Sequence, residues 1–245
     1  MLLLNINNSW TKFAVFQGNS LRHQNRIETS QLRLKHLRDL KQRFPEMPVC
    51  FASVVPDKNS LVQKVFPKKN LHSISHQSPL GFEVIFPKPQ SVGADRLANV
   101  AAVRAHYYVP SIVLDFGTAL TFDVIDRSGN YLGGVIAPGL GVFTEYLSER
   151  TALLPQISIQ PQKSFIGKST KAAMRSGLNH GYRGLVKEIT TGIKKEMQIK
   201  KLDLIATGGQ AAIMAKAIPE INIIDPMLTM KGIAQIGQHW QNMTS

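Results

Sequence analysis

The sequence predicts a mixed α/β protein built from two similar halves with a cleft between them. The 245 residues suffice for one large domain or two small ones. A short apolar strand, a small polar turn and a second strand occur near residues 2–17 and again near residues 111–125. Further strand and helix patterns follow each pair, which is typical of a duplicated α/β fold. We place the boundary near Pro110, which gives predicted domains of residues 1–110 and 111–245.

The first half begins with a predicted β-hairpin, whose strands 2–6 and 12–17 are joined by the turn Asn7-Asn8-Ser9. Beyond the hairpin we expect a helix, a buried strand that Pro56 ends, a short helix, a proline-containing loop and a longer helix, at residues 31–43, 49–55, 57–66, 79–92 and 94–107. Asp95 lies in the first turn of that last helix, where the helix dipole favours an acidic side chain.

The second half opens with the same strand–turn–strand pattern, around Phe116-Gly117-Thr118. Strands are predicted at 111–115, 119–125, 131–136, 202–206 and 221–224. Helices are predicted after Pro138-Gly139, after Thr207-Gly208-Gly209 and after Pro226. Residues 168–198 are predicted to form one long helix or two shorter ones, because three glycines weaken the middle of this segment.

The charge balance makes nucleic-acid binding an alternative to be weighed. The chain carries 29 Lys and Arg against 16 Asp and Glu, a net charge of +13. The densest basic run, from Arg33 to Arg43, alternates with leucines, as the solvated face of a helix does. No zinc-finger spacing, basic-zipper heptad or aromatic RNA-binding motif accompanies it. We therefore expect no specific nucleic-acid interface.

The start of the chain and its single cysteine indicate a cytoplasmic protein. Asn5 interrupts the apolar residues Met1–Leu4, and no apolar run approaches the ~20 residues of a membrane span. Cys50 lies in an apolar run, which predicts a buried structural thiol. We expect no association with a membrane.

Three short turns carry residue types that bind phosphate. Phosphate binding needs backbone N–H groups in close approach and small or hydroxyl side chains. Such residues follow apolar strands at Asn7-Asn8-Ser9 (with Lys12 nearby), at Asp115–Thr118 and at Thr207–Gln210. None is a Walker-type loop. Together they favour phosphoryl transfer.

Asp95 and Arg96 follow a Gly-Ala pair and suit the acceptor side of such a reaction. A kinase acting on an alcohol needs a base near the attacking hydroxyl, and an arginine can bind an anionic group of the substrate. An aspartate at a helix N-terminus beside an ordinary surface arginine explains the same residues. Spacing alone does not separate the two interpretations.

The order of motifs resembles that of the type III pantothenate kinases, which belong to the actin/hexokinase/Hsp70-type ATPase superfamily. The resemblance spans nearly the whole chain. It rests on Ser53–Pro56, Gly93–Arg96, Asp115–Thr121, Gly133–Gly139, Thr151–Pro155, Ile166–Thr170, Ser176-Gly177, Ala206–Gly209, Asp225–Thr229 and Lys231-Gly232.

The resemblance implies two ribonuclease-H-like domains of the actin-like ATPase fold, with an interdomain cleft, and a homodimer. It implies ATP-dependent phosphorylation of pantothenate to 4′-phosphopantothenate, the first step of coenzyme A biosynthesis. It also implies ATP with Mg²⁺, and a monovalent cation, K⁺ or NH₄⁺.

The resemblance also assigns roles to individual residues. Asp95 matches the general base, and Asp115 matches the ligand of the monovalent cation. Pantothenate is expected to contact Phe86, Gly93, Ala94, Asp95, Arg96 and, from the neighbouring subunit, Thr170. ATP is expected to contact Asn5, Ile6, Asn7, Asn8, Ser9, Trp10, Thr11, Lys12 and Thr118.

Three residues depart from the family pattern. The first turn, usually Asp-x-Gly-Asn-Thr, has Asn5 in place of its acid and Asn7 in place of its glycine. An uncharged Asn5 holds Mg²⁺ more weakly than a carboxylate. Phe86 stands where the family has a tyrosine, and so lacks one hydroxyl. Two alternatives to a pantothenate kinase remain: a non-catalytic regulatory or nucleic-acid-associated protein on the same fold, and a sugar or acetate kinase.

Overall fold

The computed structural model describes residues 1–244, which form ten β-strands and seven α-helices. The strands are β1 (Leu2–Ile6), β2 (Trp10–Gln17), β3 (Ser20–Glu28), β4 (Val49–Ser53), β5 (Leu71–Ser73), β6 (Ser111–Phe116), β7 (Ala119–Ile125), β8 (Tyr131–Pro138), β9 (Asp203–Thr207) and β10 (Ile223–Ile224). The helices are α1 (Leu34–Arg43), α2 (Pro56–Val65), α3 (Ala94–His106), α4 (Leu140–Arg150), α5 (Thr170–Glu196), α6 (Ala211–Ala217) and α7 (Leu228–Thr244).

The two sheets repeat one topology, so the predicted duplication is confirmed. The first sheet has the order β3-β2-β1-β4-β5 and the second the order β8-β7-β6-β9-β10. In each, the central strand pairs antiparallel with the strand that follows it and parallel with a later strand: β1 with β2 and β4, and β6 with β7 and β9. The polar turns of the two hairpins therefore occupy equivalent places in the two sheets.

The central strands β1 and β4 of the first sheet are buried on both faces, because their residues alternate between two cores. One face packs on α3 and α7 through Leu3, Ala14, Cys50, Ala52, Leu97, Ala101 and Ile233. The other packs on α1 and α2 through Leu4, Ile6, Val15, Phe51, Leu37 and Val62. Cys50 is free and fully buried, as predicted, and burial raises the pKa of its thiol.

The second sheet has its own core. Alternate residues of β6, β7 and β9 pack on α4, α5 and α6, through Ile112, Leu114, Phe116, Phe122, Leu204, Leu140, Leu178, Val186 and Met214. The predicted segment 168–198 is one helix, α5, despite its glycines. A Cβ atom on Gly181, Gly184 or Gly192 would meet nothing within 4 Å, so these glycines lie on an open side of α5.

Contacts divide the chain into two compact units that differ from a simple cut at Pro110. Unit 1 comprises Met1–Tyr108, Gly129–Leu132 and the segment from Met227; unit 2 comprises Val109–Ser128 and Gly133–Pro226. The domain boundaries drawn from the sequence assign the last helix to the second half. In the fold, α7 packs along α3, and Gly232 lies so close to the backbone of Ala98 that a side chain would overlap it.

Two strands of the first sheet are absent from the sequence-based prediction. The nine-residue strand β3 pairs with β2 through its backbone, and most of its side chains are exposed. It therefore lacks the apolar alternation that reveals a half-buried strand. The three-residue strand β5 is too short to show a pattern. No helix within residues 1–244 combines the length and apolar character needed to cross a membrane.

Candidate functional site

The turn between β1 and β2 places Asn5 in the interior of unit 1. Asn5 lies at the end of β1, between Lys12 of β2 and Ala52 of β4, and is 2% exposed. Its Oδ1 atom is buried and has no hydrogen-bond partner within the described residues, and the same holds for Oδ1 of Asn7. Burying a carbonyl oxygen without a hydrogen bond lowers the free energy of unfolding. The Oδ1 atoms of Asn5 and Asn7 are therefore candidate contacts for a ligand or a metal.

Backbone and hydroxyl contacts hold the rest of this turn. The Asn7 N–H donates to the Trp10 carbonyl at 3.1 Å, and the Thr29 hydroxyl donates to the Asn7 carbonyl at 2.6 Å. The hydroxyls of Thr11 and Thr29 lie 3.0 Å apart in the interior. The Ile6 carbonyl accepts from the Val54 N–H at 3.0 Å. The side chains of Ile6 and Thr11 are fully buried and support the turn.

The outer side of the same hairpin is basic and aromatic. Trp10 is 37% exposed, and the Arg26 guanidinium lies over its ring at 4.3 Å from the centroid. Lys12 stands opposite Asn5 on one side and Arg26 on the other. A cation–π pair of this kind orients both side chains at the rim of the turn.

The segment Gly93–Arg96 begins α3 and brings the acceptor-side residues together. Gly93 is the residue before the helix, and the N–H groups of Arg96 and Leu97 both reach its carbonyl. A Cβ atom on Gly93 would lie 2.6 Å from Oδ1 of Asp95 and 3.4 Å from Val54. The glycine is therefore required for the Asp95 carboxylate to occupy its position. That carboxylate accepts the Arg96 N–H through Oδ1 at 2.9 Å.

Tyr131 joins this group, and sequence reasoning missed it. Its ring is fully buried in unit 1, 6.5 Å from the Phe86 ring and 5.6 Å from the Arg96 guanidinium. Backbone hydrogen bonds from Ile85 to Tyr131 and from Tyr131 to Glu83 fix the chain beside it. Tyr131 follows Phe86 by 45 positions, and no local pattern links the two. The available signal was an aromatic residue two positions before the Gly133-Gly134 pair.

Unit 2 holds the second turn, between β6 and β7. Asp115 is the penultimate residue of β6 and pairs with Thr121 of β7 and Thr207 of β9. The Gly117 N–H donates to the Ala119 carbonyl at 3.1 Å, and the Gly139 N–H donates to the Thr118 carbonyl at 3.1 Å. Thr118, at the tip of this turn, is exposed.

The predicted turn Thr207–Gln210 packs directly against Asp115. Gly208 has φ +91°, a left-handed conformation that glycine adopts without strain. A Cβ atom there would lie 2.5 Å from Oδ1 of Asp115 and 2.6 Å from the Phe116 backbone. The Gln210 N–H donates to the Phe116 carbonyl at 3.3 Å. The two phosphate-type turns of this half therefore meet around one carboxylate.

Thr170 begins α5 and is exposed. The preceding residue, Ser169, caps the helix by accepting the Ala172 N–H at 3.2 Å. Gly167 lies so close to the backbone of Ala172 and Ala173 that a Cβ atom would overlap it. The segment 166–170 is thus tightly folded against the first turn of α5, which sets the position of Thr170.

The predicted site residues fall into two groups. Unit 1 holds the first turn, Phe86 and Gly93–Arg96, whereas unit 2 holds Asp115, Thr118 and Thr170. Within residues 1–244, no three His, Cys, Asp or Glu side chains are grouped as metal ligands. Mg²⁺ in nucleotide sites takes one or two protein oxygens, with phosphates and water completing its coordination. The unpaired oxygen of Asn5 fits such a role.

Comparison with known proteins agrees with this architecture. A family model described as type III pantothenate kinase matches residues 1–192. A type III pantothenate kinase from Methylacidiphilum infernorum is 41% identical over 239 residues, which cover 97% of this chain and 88% of the relative.

Solved structures resemble the fold at lower identity. A protein from Campylobacter jejuni described as a Baf family transcriptional activator superposes with a TM-score of 0.67 at 22% identity, covering 99% of this chain and 100% of its own. An activator of 2-hydroxyisocaproyl-CoA dehydratase from Clostridium difficile, solved with bound ADPNP, has a TM-score of 0.56 at 13% identity and covers 100% of this chain and 97% of its own. These likenesses establish the actin-like ATPase fold. The family match and the sequence relatives establish more: the chain belongs to the type III pantothenate kinase family.

Proposed function

We propose that this protein transfers the γ-phosphoryl group of ATP to pantothenate, giving 4′-phosphopantothenate and ADP, the first step of coenzyme A biosynthesis. Family membership supports the activity. The observation that carries the proposal for this chain is the intact acceptor segment. Gly93 leaves room for the Asp95 carboxylate, and the Arg96 N–H holds one of its oxygens.

We assign the base to Asp95. As the 4′-hydroxyl oxygen of pantothenate bonds to the γ-phosphorus, the bond from that phosphorus to the bridging β,γ-oxygen breaks. The hydroxyl proton passes to the Asp95 carboxylate, and ADP leaves with the bridging oxygen. The hydrogen bond from the Arg96 N–H orients the carboxylate before the substrate arrives. A base held in place in this way avoids part of the entropy cost of the transition state.

Arg96 is proposed to bind the carboxylate of pantothenate. A guanidinium can donate two parallel hydrogen bonds to a carboxylate. The buried Tyr131 ring lies on one side of Arg96 and limits the directions that its side chain can take. Phe86, 37% exposed, supplies an aromatic wall with the buried Tyr131 ring packed 6.5 Å behind it, and the hydroxyl that Phe86 lacks is one contact fewer for the substrate.

The two hairpin turns are proposed to bind the nucleotide. In unit 1, four residues lie at the surface or the rim of the turn and are proposed to contact ATP directly: Asn8, Ser9, Trp10 and Lys12. Four more are less exposed and fix the conformation of the turn: Asn5, Ile6, Asn7 and Thr11. In unit 2, the exposed Thr118 is proposed to contact a phosphate oxygen. Mg²⁺, when bound with ATP, neutralises charge that develops on the transferring phosphoryl group. Among the turn residues, Asn5 offers an oxygen to it or to its water ligands.

Asp115 is proposed to hold the monovalent cation, K⁺ or NH₄⁺. Its carboxylate is packed against Gly208 and the Phe116 backbone, where carbonyl oxygens are near. Carboxylate and carbonyl oxygens are the ligands that hard cations prefer. Potassium-dependent turnover that Asp115→Asn abolishes is the expected behaviour of such a site.

The proposed assembly is a homodimer in which Thr170 completes the acceptor site of the neighbouring subunit. Unit 2 exposes large apolar side chains: Ile136 is 66% exposed, Tyr146 58%, Leu153 88%, Phe165 73% and Ile166 78%. Exposed apolar side chains within residues 136–166 support an interaction surface in this part of unit 2. We place the reaction in the cytoplasm, where ATP is abundant.

The regulatory or nucleic-acid-associated alternative is not favoured. The sequence relatives are named as kinases, and the similarity to the transcriptional activator, at 22% identity, extends to the fold alone. The sugar or acetate kinase alternative has no support from the family match.

The test is a coupled assay of ADP release with purified protein, pantothenate, MgCl₂, KCl and millimolar ATP. We expect pantothenate-dependent turnover, and Asp95→Asn should lower kcat by roughly 10²–10⁴-fold, the range expected for loss of a general base. Pantothenate binding by calorimetry should survive in that variant. Asp57→Asn, in the first turn of α2, is a matched control. Full activity of Asp95→Asn would exclude Asp95 as the base.

A further inference from the structure

Unit 1 contains a cleft that the proposed kinase mechanism does not use. It has a volume of about 530 Å³ and lies between the β2–β3 hairpin, the end of α3 and the part of α7 from Lys231 to Gln238. Its apolar lining comes from Phe16, Leu21, Met227 and Ala234. The size falls within the range of clefts that hold small organic ligands.

The cleft lies at the opposite end of the unit 1 elements from the proposed site residues. Strand β2 starts at Trp10, beside the nucleotide turn, and reaches the cleft at Phe16, about 20 Å further along at the rise of a β-strand. Helix α3 carries Asp95 in its first turn and His106 at its last residue, about 17 Å apart at 1.5 Å per residue. A ligand bound here would not overlap the proposed acceptor or phosphate contacts of unit 1.

The polar lining is amide-rich and basic. Its side-chain amides come from Asn19, Gln24, Gln235 and Gln238, and its basic groups from His106 and Lys231. The Gln24 amide donates to the Leu21 carbonyl at 3.3 Å, and Gln235 Nε2 lies 3.0 Å from His239 Nε2. No Asp or Glu is among the lining residues of the described chain. Lys231 belongs to the first turn of α7, where the positive end of the helix dipole also favours an anion.

We propose that this cleft is a second ligand site, which binds a small amphipathic organic anion. The apolar part of the ligand would pack on Phe16, Leu21 and Met227. Its carboxylate, sulfonate or phosphate ester would approach Lys231, and the Gln238 amide would donate to one of its remaining oxygens. This inference concerns ligand binding alone and holds whether or not the chain phosphorylates pantothenate.

The probe is 1-anilinonaphthalene-8-sulfonate, which joins a sulfonate to aromatic rings and fluoresces when bound. We expect saturable binding to the full-length protein, competed by octanoate and not by octylamine. Saturating ATP and pantothenate should leave the signal unchanged. Lys231→Gln should weaken binding roughly tenfold, as expected for loss of one charge-assisted contact. Lys35→Gln removes an exposed charge from α1 and should have no effect.

A second variant distinguishes probe binding in the cleft from probe binding at other apolar surfaces of the protein. Gln238→Trp should fill the cleft and abolish competition by octanoate, while circular dichroism and the melting temperature show that unit 1 remains folded. The proposal is overturned if octylamine competes as well as octanoate, or if both folded variants bind the probe like the parent. Displacement of the probe by ATP or pantothenate would assign it to the kinase site and equally overturn the proposal.

Discussion

At the scale of single residues, the nucleotide turn around Asn5 and the acceptor segment Gly93–Arg96 differ in the hydrogen bonding of their polar side chains. The Asp95 carboxylate accepts a backbone N–H, and Gly93 leaves the space it occupies. The Asn5 side chain is buried, and its Oδ1 atom has no hydrogen-bond partner among residues 1–244. Asn5 replaces the family's acidic residue at a buried position. A ligand or metal bound there would give its Oδ1 atom the partner that the described residues do not supply.

Asn5→Asp should make the melting temperature of the protein depend on bound Mg²⁺. A carboxylate at this buried position loses its hydration, so the variant should melt at a lower temperature than the parent without Mg²⁺. Mg-ATP should restore the melting temperature and bind the variant more tightly than the parent, by roughly tenfold or about 1.4 kcal/mol. Calorimetry and thermal denaturation measure both effects. Asn25→Asp, on the exposed strand β3, is the control. Unchanged affinity for Mg-ATP would mean that the missing carboxylate does not limit metal binding.

At the scale of secondary-structure elements, the close packing of α7 on α3 determines how unit 1 is assembled. Gly232 of α7 lies against the Ala98 backbone of α3, and Thr229 donates to Asn99 in a buried hydrogen bond of 2.8 Å. Such an approach is possible only without a side chain at position 232. The C-terminal helix is therefore part of the packing that supports the Asp95 segment.

Gly232→Ala should destabilise unit 1, because the added methyl group forces α7 away from α3. Overpacking of this kind costs about 1–3 kcal/mol. Gly192→Ala, in the last turns of α5, is the matched control. A methyl group there meets nothing within 4 Å, so it should stabilise the helix by about 0.5–1 kcal/mol. Urea denaturation of both variants measures the difference. Equal stabilities would show that the α3–α7 packing can relax.

His72 should make the stability of unit 1 depend on pH. It stacks on Trp240 of α7 at 5.1 Å, and its Nε2 lies 2.9 Å from the Ser78 hydroxyl. Burial lowers the pKa of His72 from the usual 6.5, since it disfavours the charged ring. Below pH 6.5 the unfolded chain binds the proton more readily than the folded one, so the free energy of unfolding should fall with falling pH.

The measurement is urea denaturation at several pH values between 7.5 and about 5, below the ordinary histidine pKa. His72→Gln should reduce the slope of the free energy of unfolding against pH. His76→Gln, three residues after the end of β5, serves as the comparison. A slope that His72→Gln leaves unaltered would assign the pH dependence to another group.

At the scale of the whole molecule, the sheets repeat one topology, and unit 2 exposes several large apolar side chains. Large exposed apolar side chains occur in the segment that follows α4 and precedes α5, notably Leu153, Phe165 and Ile166. They lie in the unit that also carries Thr170. These features support the proposal that unit 2 mediates the dimer.

Leu153→Asp should convert the proposed dimer to a monomer, because a carboxylate buried in an apolar interface loses its hydration without gaining a partner. Size-exclusion chromatography with light scattering measures the mass. kcat/KM for pantothenate should fall with the loss of the dimer, since Thr170 would no longer reach the neighbouring site. Met243→Asp changes an exposed apolar residue of unit 1 and should alter neither quantity. A parent protein that is monomeric and fully active would exclude the shared site.

Local patterns in the sequence predicted most of the elements and the family, and tertiary structure decided what those patterns do not encode. Periods of two and 3.6 residues, with glycine and proline at the turns, revealed the two hairpins and the helix that starts at Gly93–Arg96. The exposed strand β3 has no such period, because backbone pairing with β2 defines it.

By itself, the sequence determined the α/β class, the duplication and the residue types of the proposed site. Only the fold placed α7 in unit 1, brought Tyr131 beside Arg96 and left the Asn5 oxygen without a partner. Each of these depends on contacts between residues far apart in the chain. Such contacts follow from how the apolar faces of separate elements pack together, and no short stretch of sequence records that arrangement.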